Sequence, residues 1–375
     1  MDDETAGADT GAEECPPGDV DMDRAALDRA LGLVADHPGQ AQLCVLRHGR
    51  VVLNRSYGCP PDALFLLWSA GKPLIALLTW LLAERGLISL DDPVGQYWPQ
   101  YARCGKAAVT VRHVLQHRSG APLGGRSVLG DALAMTDWER SVRRIARACP
   151  RWPAGQVPAY HIISYGFVLG ELVRRVTGVP VDRYLRTELL DPLGLRDIHA
   201  GLPDALWARG VPVRAPASGD LSARVRERYF NRRAVRTAVI PAANTAANAR
   251  DLAALYEMLL RGGELGGTRV LAAATVAEAR RSSTSEGEVD QLLQLPVRWS
   301  QGFQLGGGTD RRTARPMGML SGRETFGHNG SNYCNAWADP ERDLVFVYLT
   351  NVLVPPAEGV RRQSAVSDAV LAACR

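Results

Sequence analysis

The chain has 375 residues, 46% of them hydrophobic and 22% charged, which predicts one large domain or two closely packed ones with a substantial core. Its seven cysteines are odd in number and show no Cys-x-x-Cys or Cys/His ligand spacing, which argues against a disulfide scaffold and a zinc module. The longest uncharged apolar run near the N-terminal third, residues 73–83, has eleven residues, whereas a membrane span needs about 20. We therefore expect a soluble protein without a membrane partner.

The N-terminal segment is acidic. Residues 1–23 carry nine acidic and no basic side chains, with neither a basic nor an apolar region of a signal peptide, so we expect a cytoplasmic protein. Residues 1–19 are rich in Gly, Pro and Ala and are predicted to be disordered, and residues 20–375 to fold. Setting the nine acids aside leaves 44 basic against 31 acidic residues. We interpret this excess as a matter of solubility, with attraction to a polyanion as the alternative, and expect no nucleic-acid partner.

The first elements follow from spacing and turn residues. Asp21 or Asp23 can cap a helix that runs to Leu33. Two β-prone runs, residues 42–47 and 51–57, flank His48-Gly49 and predict a hairpin, because Gly tolerates the positive φ of a tight turn. A helix over residues 69–85 follows, closed by Gly86.

The middle of the chain reads mostly as helix, and strands return near its end. Helices are predicted over residues 111–116, 137–148, 165–176, 181–190, 248–260 and 359–373, and strands over residues 331–338 and 343–350. This order predicts an α/β (α+β) fold, with an antiparallel sheet flanked by the terminal helices and an inserted all-α subdomain. The sheet subdomain takes about residues 20–105 and 262–375, and the helical subdomain about residues 106–261.

The sharpest chemical feature is Ser69-Ala70-Gly71-Lys72. If Ser69 opens a helix, Lys72 lies on the same face, within reach of the serine hydroxyl. The helix N-terminus favours an oxyanion there, and the apolar run behind the pair buries the lysine, which lowers its pKa and lets it take or relay a proton. The alternative is that Ser69 is only a helix cap.

The surroundings of this motif resemble a known family. The apolar helix after Ser69, the turn at residues 87–94 and the run at residues 109–120 resemble the serine β-lactamase-like, penicillin-recognising family of class C type, in its carboxylesterase and acyltransferase branch. The resemblance runs from about residue 64 to residue 351. It implies a β-lactamase/transpeptidase-like fold.

The resemblance also points to Tyr160, because Tyr160-His161-Ile162 stands where the family places Y-x-N or Y-S-x. A lysine ammonium beside a tyrosine would stabilise a phenolate and lower the tyrosine pKa, so that the phenolate can accept the serine proton. Ile162 departs from the family's Asn, which removes a polar contact to the acyl side chain. The alternatives are a core tyrosine, or Tyr165 in the catalytic role.

A third segment, His328-Asn329-Gly330-Ser331, resembles the family's K-T-G motif and is expected just before an edge strand. By resemblance, the backbone amides of Ser69 and Ser331 form the oxyanion hole, and His328, Asn329 and Gly330 contact substrate. With His328 in place of lysine, a cation for a substrate carboxylate is missing, which favours neutral esters, thioesters or amides. Alternatively, His328 only forms a hydrogen bond with a neighbouring loop.

Other features carry less information. Trp68 and Trp152 flank motif segments and are candidates for an apolar acyl pocket, as are Trp299 and Trp337, with ordinary core positions as the alternative. His113 and His117 have no third ligand in phase, and we expect no metal and no cofactor; the resemblance makes His117 a structural residue. Six arginines between residues 224 and 236 are interpreted as a solvated surface, or alternatively as a site for an acidic carrier protein or coenzyme-A donor.

These observations predict a serine acyl hydrolase or acyltransferase in which Ser69 is acylated while Lys72 and Tyr160 manage the proton. Its partners are a small-molecule acyl donor and an acceptor, either water or an alcohol or amine. A β-lactamase or D-amino-acid peptidase is the alternative within the enzyme class. A binding or sensor domain that has lost turnover is the alternative from another class.

Overall fold

The computed structural model describes residues 8–9, 14–125, 127–217, 221–308, 315–331 and 333–375. The strands found there are β1 (Ala8–Asp9), β2 (Ala41–Arg47), β3 (Arg50–Tyr57), β4 (Phe65–Leu66), β5 (Ile198–Ala200), β6 (Thr245–Ala247), β7 (Glu264–Leu265), β8 (Thr268–Arg269), β9 (Val289–Asp290), β10 (Leu295–Pro296), β11 (Gln304–Leu305), β12 (Phe326–Gly330), β13 (Cys334–Asp339) and β14 (Leu344–Thr350).

The same residues contain the α-helices α1 (Arg24–Ala35), α2 (Lys72–Glu84), α3 (Val94–Tyr97), α4 (Val111–Leu115), α5 (Val128–Ala134), α6 (Trp138–Arg147), α7 (Ser164–Thr177), α8 (Val181–Leu185), α9 (Leu221–Phe230), α10 (Arg233–Arg236), α11 (Ala249–Leu260), α12 (Ala273–Arg280) and α13 (Pro356–Leu371). Short 3₁₀ helices lie at Pro17–Val20, Trp68–Gly71, Pro99–Ala102 and Asp204–Arg209, and a π-helical turn lies at Arg186–Leu190. None of the helices in these ranges is long and apolar enough to cross a bilayer.

The main sheet is antiparallel, with strand order β1-β3-β2-β14-β13-β12-β11. Every side chain of β14 is buried, as expected for an apolar run without alternation that is covered on both faces. The predicted hairpin is confirmed: β2 and β3 are joined at His48 and Gly49, which have φ values of 52° and 73°. The predicted antiparallel α/β fold is therefore confirmed.

The two faces of the sheet are covered by different helices. α1 and α13 pack together on one face, where Leu27 and Val370 meet Phe346. Asp23 caps α1 by accepting a hydrogen bond from the Ala26 amide at 2.9 Å. The terminal helices thus flank one face only, and Trp337, stacked on Phe346 with 4.8 Å between the ring centroids, belongs to this core and not to an acyl pocket.

Helix α11 covers the other face, in contact with β2, β13 and β14. The predicted helical subdomain, residues 106–261, therefore contains a helix that packs against the sheet. Residues 249–260 were assigned to the helical part because they follow a long helical stretch in sequence, and nothing in their periodicity indicates which surface they cover.

The N-terminal segment differs from its prediction. From Glu14 onward the predicted disordered stretch is folded: the Cys15 amide donates to the Val51 carbonyl at 2.8 Å, and the side chains of Cys15 and Val20 are buried. The Glu14 carboxylate accepts from the Asn54 amide at 2.5 Å. The burial of a few side chains is enough to fold this segment although its average composition is acidic. Residues 1–7 and 10–13 of the predicted segment lie outside the described residues.

Candidate active site

The backbone turns sharply just before Ser69. β4 leads into the 3₁₀ helix Trp68–Gly71, and Trp68 has a φ of 52°, a left-handed conformation that is strained for a bulky residue. The Trp68 ring is held against Phe230, with 4.4 Å between centroids, and against Tyr333, with 5.7 Å. This turn leaves the Ser69 side chain partly exposed in an otherwise buried segment, so substrate can reach it.

Lys72 lies directly behind Ser69. Its Nζ is 3.2 Å from Ser69 Oγ, 2.7 Å from the Ile162 carbonyl oxygen and 3.1 Å from the Ala242 carbonyl oxygen. The residue is 1% exposed, and burial lowers the pKa of its amine well below the usual range. The first helical turn of α2 accommodates Pro73 because amides there lack intrahelical partners.

The three contacts of Lys72 Nζ are all to oxygen atoms, so an ammonium can donate to each of them and a neutral amine can keep two of these bonds. A neutral amine has two N–H bonds and one lone pair, and the two carbonyl oxygens of Ile162 and Ala242 can accept both N–H bonds. The lone pair then faces Ser69 and can accept the hydrogen bond of its hydroxyl. This arrangement can remove the serine proton when Ser69 attacks a carbonyl carbon.

Tyr160 completes the cluster. Its ring centroid lies 4.8 Å from Lys72 Nζ, and Ser69 is close enough to act on the pKa of its hydroxyl. The backbone is held by Asp290, whose Oδ1 accepts from the Tyr160 amide at 3.1 Å. The ring stacks on Trp299 at 5.2 Å with a 3° interplanar angle, and Trp299 Nε1 donates to Asp290 Oδ2 at 3.0 Å. The phenol therefore has a fixed position beside the serine.

The predicted phenolate is wrong. Burial raises the pKa of Tyr160 above its usual value, and the opposing effect of Ser69 is smaller. Burial also lowers the pKa of Lys72, which weakens the ammonium charge that would stabilise a phenolate. Tyr160 is thus a neutral phenol, which can donate a hydrogen bond but does not serve as the base.

Two histidines support Tyr160 from behind. The His117 ring packs on Tyr160 at 4.9 Å, and His117 Nδ1 accepts from the His161 amide at 3.2 Å. His161 Nε2 and Ser119 Oγ are 2.5 Å apart. Burial lowers the pKa of both histidines, that of His161 to about 3, so they are uncharged at neutral pH. This position agrees with the structural role expected for His117.

Strand β12 comes into backbone contact with the serine turn at Gly330. A Cβ added there would lie 2.0 Å from the Leu67 carbonyl oxygen and 3.1 Å from Trp68 Cβ, so the approach requires glycine. Ser331 follows directly, with a φ of 48°. The end of β12 therefore lies next to the residues that precede Ser69, where a second amide for an oxyanion is needed.

His328 lies within β12, and not before the edge strand as expected, because the extended pairing with β13 already begins at Phe326. Its Nδ1 lies 2.7 Å from the Asn329 carbonyl oxygen, which makes it the donor. Its Nε2 is buried and has no hydrogen-bond partner in the described part of the chain. Burial is the main cause that lowers the pKa of His328 to about 3, so this position carries no charge at neutral pH.

The structure therefore brings Ser69, Lys72 and Tyr160 into one cluster, with Trp68 beside it. Trp152 instead lies next to Gly120, and among the described residues its ring makes none of the contacts that join the Tyr160 ring to its neighbours. The rival Tyr165 is packed on His117 at 4.7 Å, as a core residue.

Sequence reasoning missed Asp290 and the two carbonyls that hold Lys72. A backbone carbonyl leaves no trace in side-chain patterns, and Asp290 is 130 residues from Tyr160. Trp299 stood out only as an aromatic residue near a motif.

Half of the arginine-rich segment has partners within the chain. Arg226 Nη2 donates to the Tyr333 hydroxyl at 3.3 Å, Arg233 pairs with Asp204 at 2.7 Å, and Arg236 is buried against Trp207. Arg224 and Arg228 line an open surface cavity of about 520 Å³. The segment is thus partly structural, and only part of it faces solvent.

Comparison with known proteins identifies the family of this chain. A family model described as Beta-lactamase matches residues 31–371. The chain belongs to the β-lactamase family. It is 30% identical over 319 residues to the esterase/beta-lactamase LipL of Mycobacterium tuberculosis, a match that covers 79% of this chain and 71% of that protein.

Two further similarities lie on the esterase side of the family. Esterase EstB of Burkholderia gladioli is 30% identical over 250 residues, 55% of this chain and 63% of that protein. The crystal structure of a family VIII carboxylesterase superposes with a TM-score of 0.79 at 26% identity, covering 97% of this chain and 99% of that one. With its Ser69–Lys72 pair, this member of the β-lactamase family is a serine acyl hydrolase or acyltransferase.

Proposed function

We propose that the chain is a serine esterase-type enzyme that is acylated on Ser69 by a neutral, small-molecule acyl donor. The observation that carries the proposal is the position of Lys72, whose Nζ lies 3.2 Å from Ser69 Oγ and 2.7 and 3.1 Å from two backbone carbonyl oxygens. A nucleophile and its base within hydrogen-bond distance are the signature of covalent acyl transfer.

In the acylation step, Ser69 Oγ bonds to the carbonyl carbon while Lys72 Nζ takes the hydroxyl proton. In this proposal the backbone amides of Ser69 and Ser331 stabilise the negative charge that develops on the carbonyl oxygen, and the close approach of Gly330 to Leu67 supports it. The ammonium of Lys72 is held by the Ile162 and Ala242 carbonyl oxygens and is the source of the proton for the leaving group.

Tyr160 assists as a neutral hydrogen-bond donor. Its ring lies 4.8 Å from Lys72 Nζ and its hydroxyl is near Ser69, and in this proposal it passes a proton from the lysine to the departing alcohol. In deacylation the restored neutral Lys72 accepts a proton from the attacking water, or from an acceptor alcohol or amine, whose heteroatom bonds to the acyl carbon. The acyl–Oγ bond then breaks, and the proton passes from Lys72 to Ser69 Oγ, which regenerates the free serine. No cofactor takes part in either half of this scheme.

The neutrality of the cleft argues for the substrate class. His328 stands where the resembling family places a lysine, and its pKa of about 3 leaves it uncharged. Asn329 and Gly330 on the same strand, with Trp68 opposite, form the surface that an acyl group would contact. The contact predicted between Trp152 and the acyl group is not supported by its position next to Gly120.

An acidic carrier protein or a coenzyme-A donor stays a minor part of the proposal. Arg224 and Arg228, on the surface cavity described above, are the positions that would meet its phosphate or carboxylate groups.

The test compares two chromogenic substrates, a p-nitrophenyl acyl ester and a chromogenic cephalosporin. Ester turnover that disappears in Ser69→Ala, together with a mass increase of one acyl group on the native chain, supports the proposal. Rapid cephalosporin opening would favour the β-lactamase alternative. Neither turnover nor acylation would favour a binding domain.

Lys72→Arg sharpens this test, because arginine stays protonated in proteins and cannot act as a base. We expect its acylation rate to fall by about 10²- to 10⁴-fold. Acylation at the native rate would remove Lys72 from the mechanism.

A further inference from the structure

Two exposed cysteines that play no part in the active site lie side by side. Cys104 follows the 3₁₀ helix Pro99–Ala102, and Cys149 follows helix α6. Both side chains are exposed, and Cys104 is close enough to Cys149 to raise the pKa of its thiol. The adjoining residues are also in contact: a Cβ on Gly105 would lie 3.7 Å from Pro150 Cγ.

The second lysine of the chain holds this juxtaposition in place. Lys106 Nζ donates to the Arg103 carbonyl oxygen at 3.1 Å and also to that of Ala148. These are the carbonyls immediately before Cys104 and Cys149, so one ammonium ties together the backbone at both cysteines. It also donates to the Ala146 carbonyl at 3.1 Å, which anchors it to the end of α6. The buried Lys106 side chain therefore fixes the backbone at the two cysteines relative to each other.

We propose that Cys104 and Cys149 are an oxidisable dithiol that closes to a disulfide. The oxidant is a low-molecular-weight disulfide. One protein thiolate attacks a sulfur of that disulfide, its S–S bond breaks, and one small thiolate leaves. The second protein thiol then loses its proton and attacks the protein sulfur of the mixed disulfide, releasing the second small thiolate. Two protein sulfurs are oxidised, the small disulfide is reduced to two thiols, and the released protons are taken up by the leaving thiolates.

Two opposite effects act on the ionisation of the pair. The pKa of the Cys149 thiol is raised, with Cys104 as the first cause, whereas the neighbouring Lys106 ammonium lowers it. The nearby cation therefore stabilises the thiolate that must attack. Both sulfurs are open to a small oxidant.

Closing the pair would pin the start of the segment that leads to Tyr160. That segment runs beside residues 117–120: the Arg151 amide donates to the Gly120 carbonyl at 2.7 Å, and the Ala159 amide donates to the His117 carbonyl at 2.8 Å. Its first residue is Cys149, so a disulfide there restrains the chain eleven residues before Tyr160. The redox state of the dithiol thus affects the mobility of residues 150–159, which lead to Tyr160 in the catalytic cluster.

The experiment incubates the full chain in buffers of reduced and oxidised glutathione. We expect a Cys104–Cys149 cross-linked peptide, loss of two reactive thiols, and a melting temperature about 3 to 5 °C higher than that of the reduced form. Amide hydrogen exchange over residues 150–159 should slow in the oxidised form. Cys104→Ser and Cys149→Ser should each abolish all of these changes, and Cys59→Ser, at a half-buried cysteine bonded to the Ala41 carbonyl, should leave them intact.

Three results would overturn the proposal. The first is that both thiols stay free, or end as stable glutathione adducts with no internal cross-link. The second is that the cross-link forms equally well in either serine variant, through another cysteine. The third is that it forms without slower exchange over residues 150–159, which would remove the coupling to the Tyr160 segment.

Discussion

Gly330 packs against the backbone of Leu67 so closely that a Cβ at residue 330 would lie 2.0 Å from the Leu67 carbonyl oxygen. Strand β12 is therefore docked directly on the turn that carries Ser69. The position of the Ser331 amide relative to Ser69 depends on this single backbone contact.

Gly330→Ala should lower kcat/KM for a p-nitrophenyl ester by about 10²-fold or more, because the added methyl pushes β12 away and removes one oxyanion donor. Gly32→Ala is the matched control, since a Cβ there would meet nothing within 4 Å and the residue lies in α1 on the far face of the sheet. Native activity in Gly330→Ala would show that the amide of residue 331 does not serve the reaction.

Tyr160→Phe separates the neutral phenol from the phenolate. We expect kcat to fall by about 10²-fold or more through loss of the proton relay, while the pH dependence of the native enzyme shows no rise that follows tyrosine ionisation. The raised pKa of Tyr160 is the reason. A native pH profile whose rising limb disappears in Tyr160→Phe would instead identify Tyr160 as the base.

The buried His328 makes stability depend on pH. Its pKa is about 3 in the folded chain and about 6.5 when unfolded, so between these values the unfolded state binds a proton that the folded state does not. The free energy of unfolding should therefore fall with acidification by about 1.4 kcal/mol per pH unit for this residue. Urea titrations of native protein and His328→Leu at several pH values check the slope, and equal slopes below pH 6 would contradict the assignment.

We expect the N-terminal segment to stabilise the fold, whereas its acidic composition alone predicts that it contributes nothing. Deleting residues 1–20 removes the buried side chains of Cys15 and Val20 and should cost about 3 to 5 kcal/mol of unfolding free energy. Deleting residues 1–7 is the control. Equal melting curves for the two truncations would mean that the packing of Cys15 and Val20 contributes nothing.

Much of the fold is predictable from the sequence because its signals are local. Asp23 is a side-chain cap three residues from the amide it binds, and the β2–β3 hairpin turns on two adjacent residues with positive φ. The placement of α11 was not predictable, because an amphipathic helix shows that it covers a surface but not which one.

The candidate active site shows the same difference between local signals, which the sequence reveals, and long-range contacts, which it does not. Ser69 and Lys72 are three residues apart, so helical geometry alone brings them together. The state of Lys72 depends on Ile162 and Ala242, which lie 90 and 170 residues away and act through their backbone. Local spacing cannot report such contacts. The apolar run after Lys72 correctly indicated the lowered pKa of the lysine, whereas the burial of Tyr160, which raises its pKa, was not visible in the sequence.

The most direct test of the mechanism is the ionisation of Lys72 itself, and the chain is suited to it because Lys72 and Lys106 are its only lysines. Protein labelled with isotopes in lysine alone gives two side-chain NMR signals, and loss of one in Lys72→Met assigns it. We predict that the Lys72 signal titrates well below the usual lysine pKa and is that of a neutral amine at pH 7, in step with the acid limb of ester turnover. A Lys72 signal that stays protonated to pH 10 while Ser69 is still acylated would contradict the account.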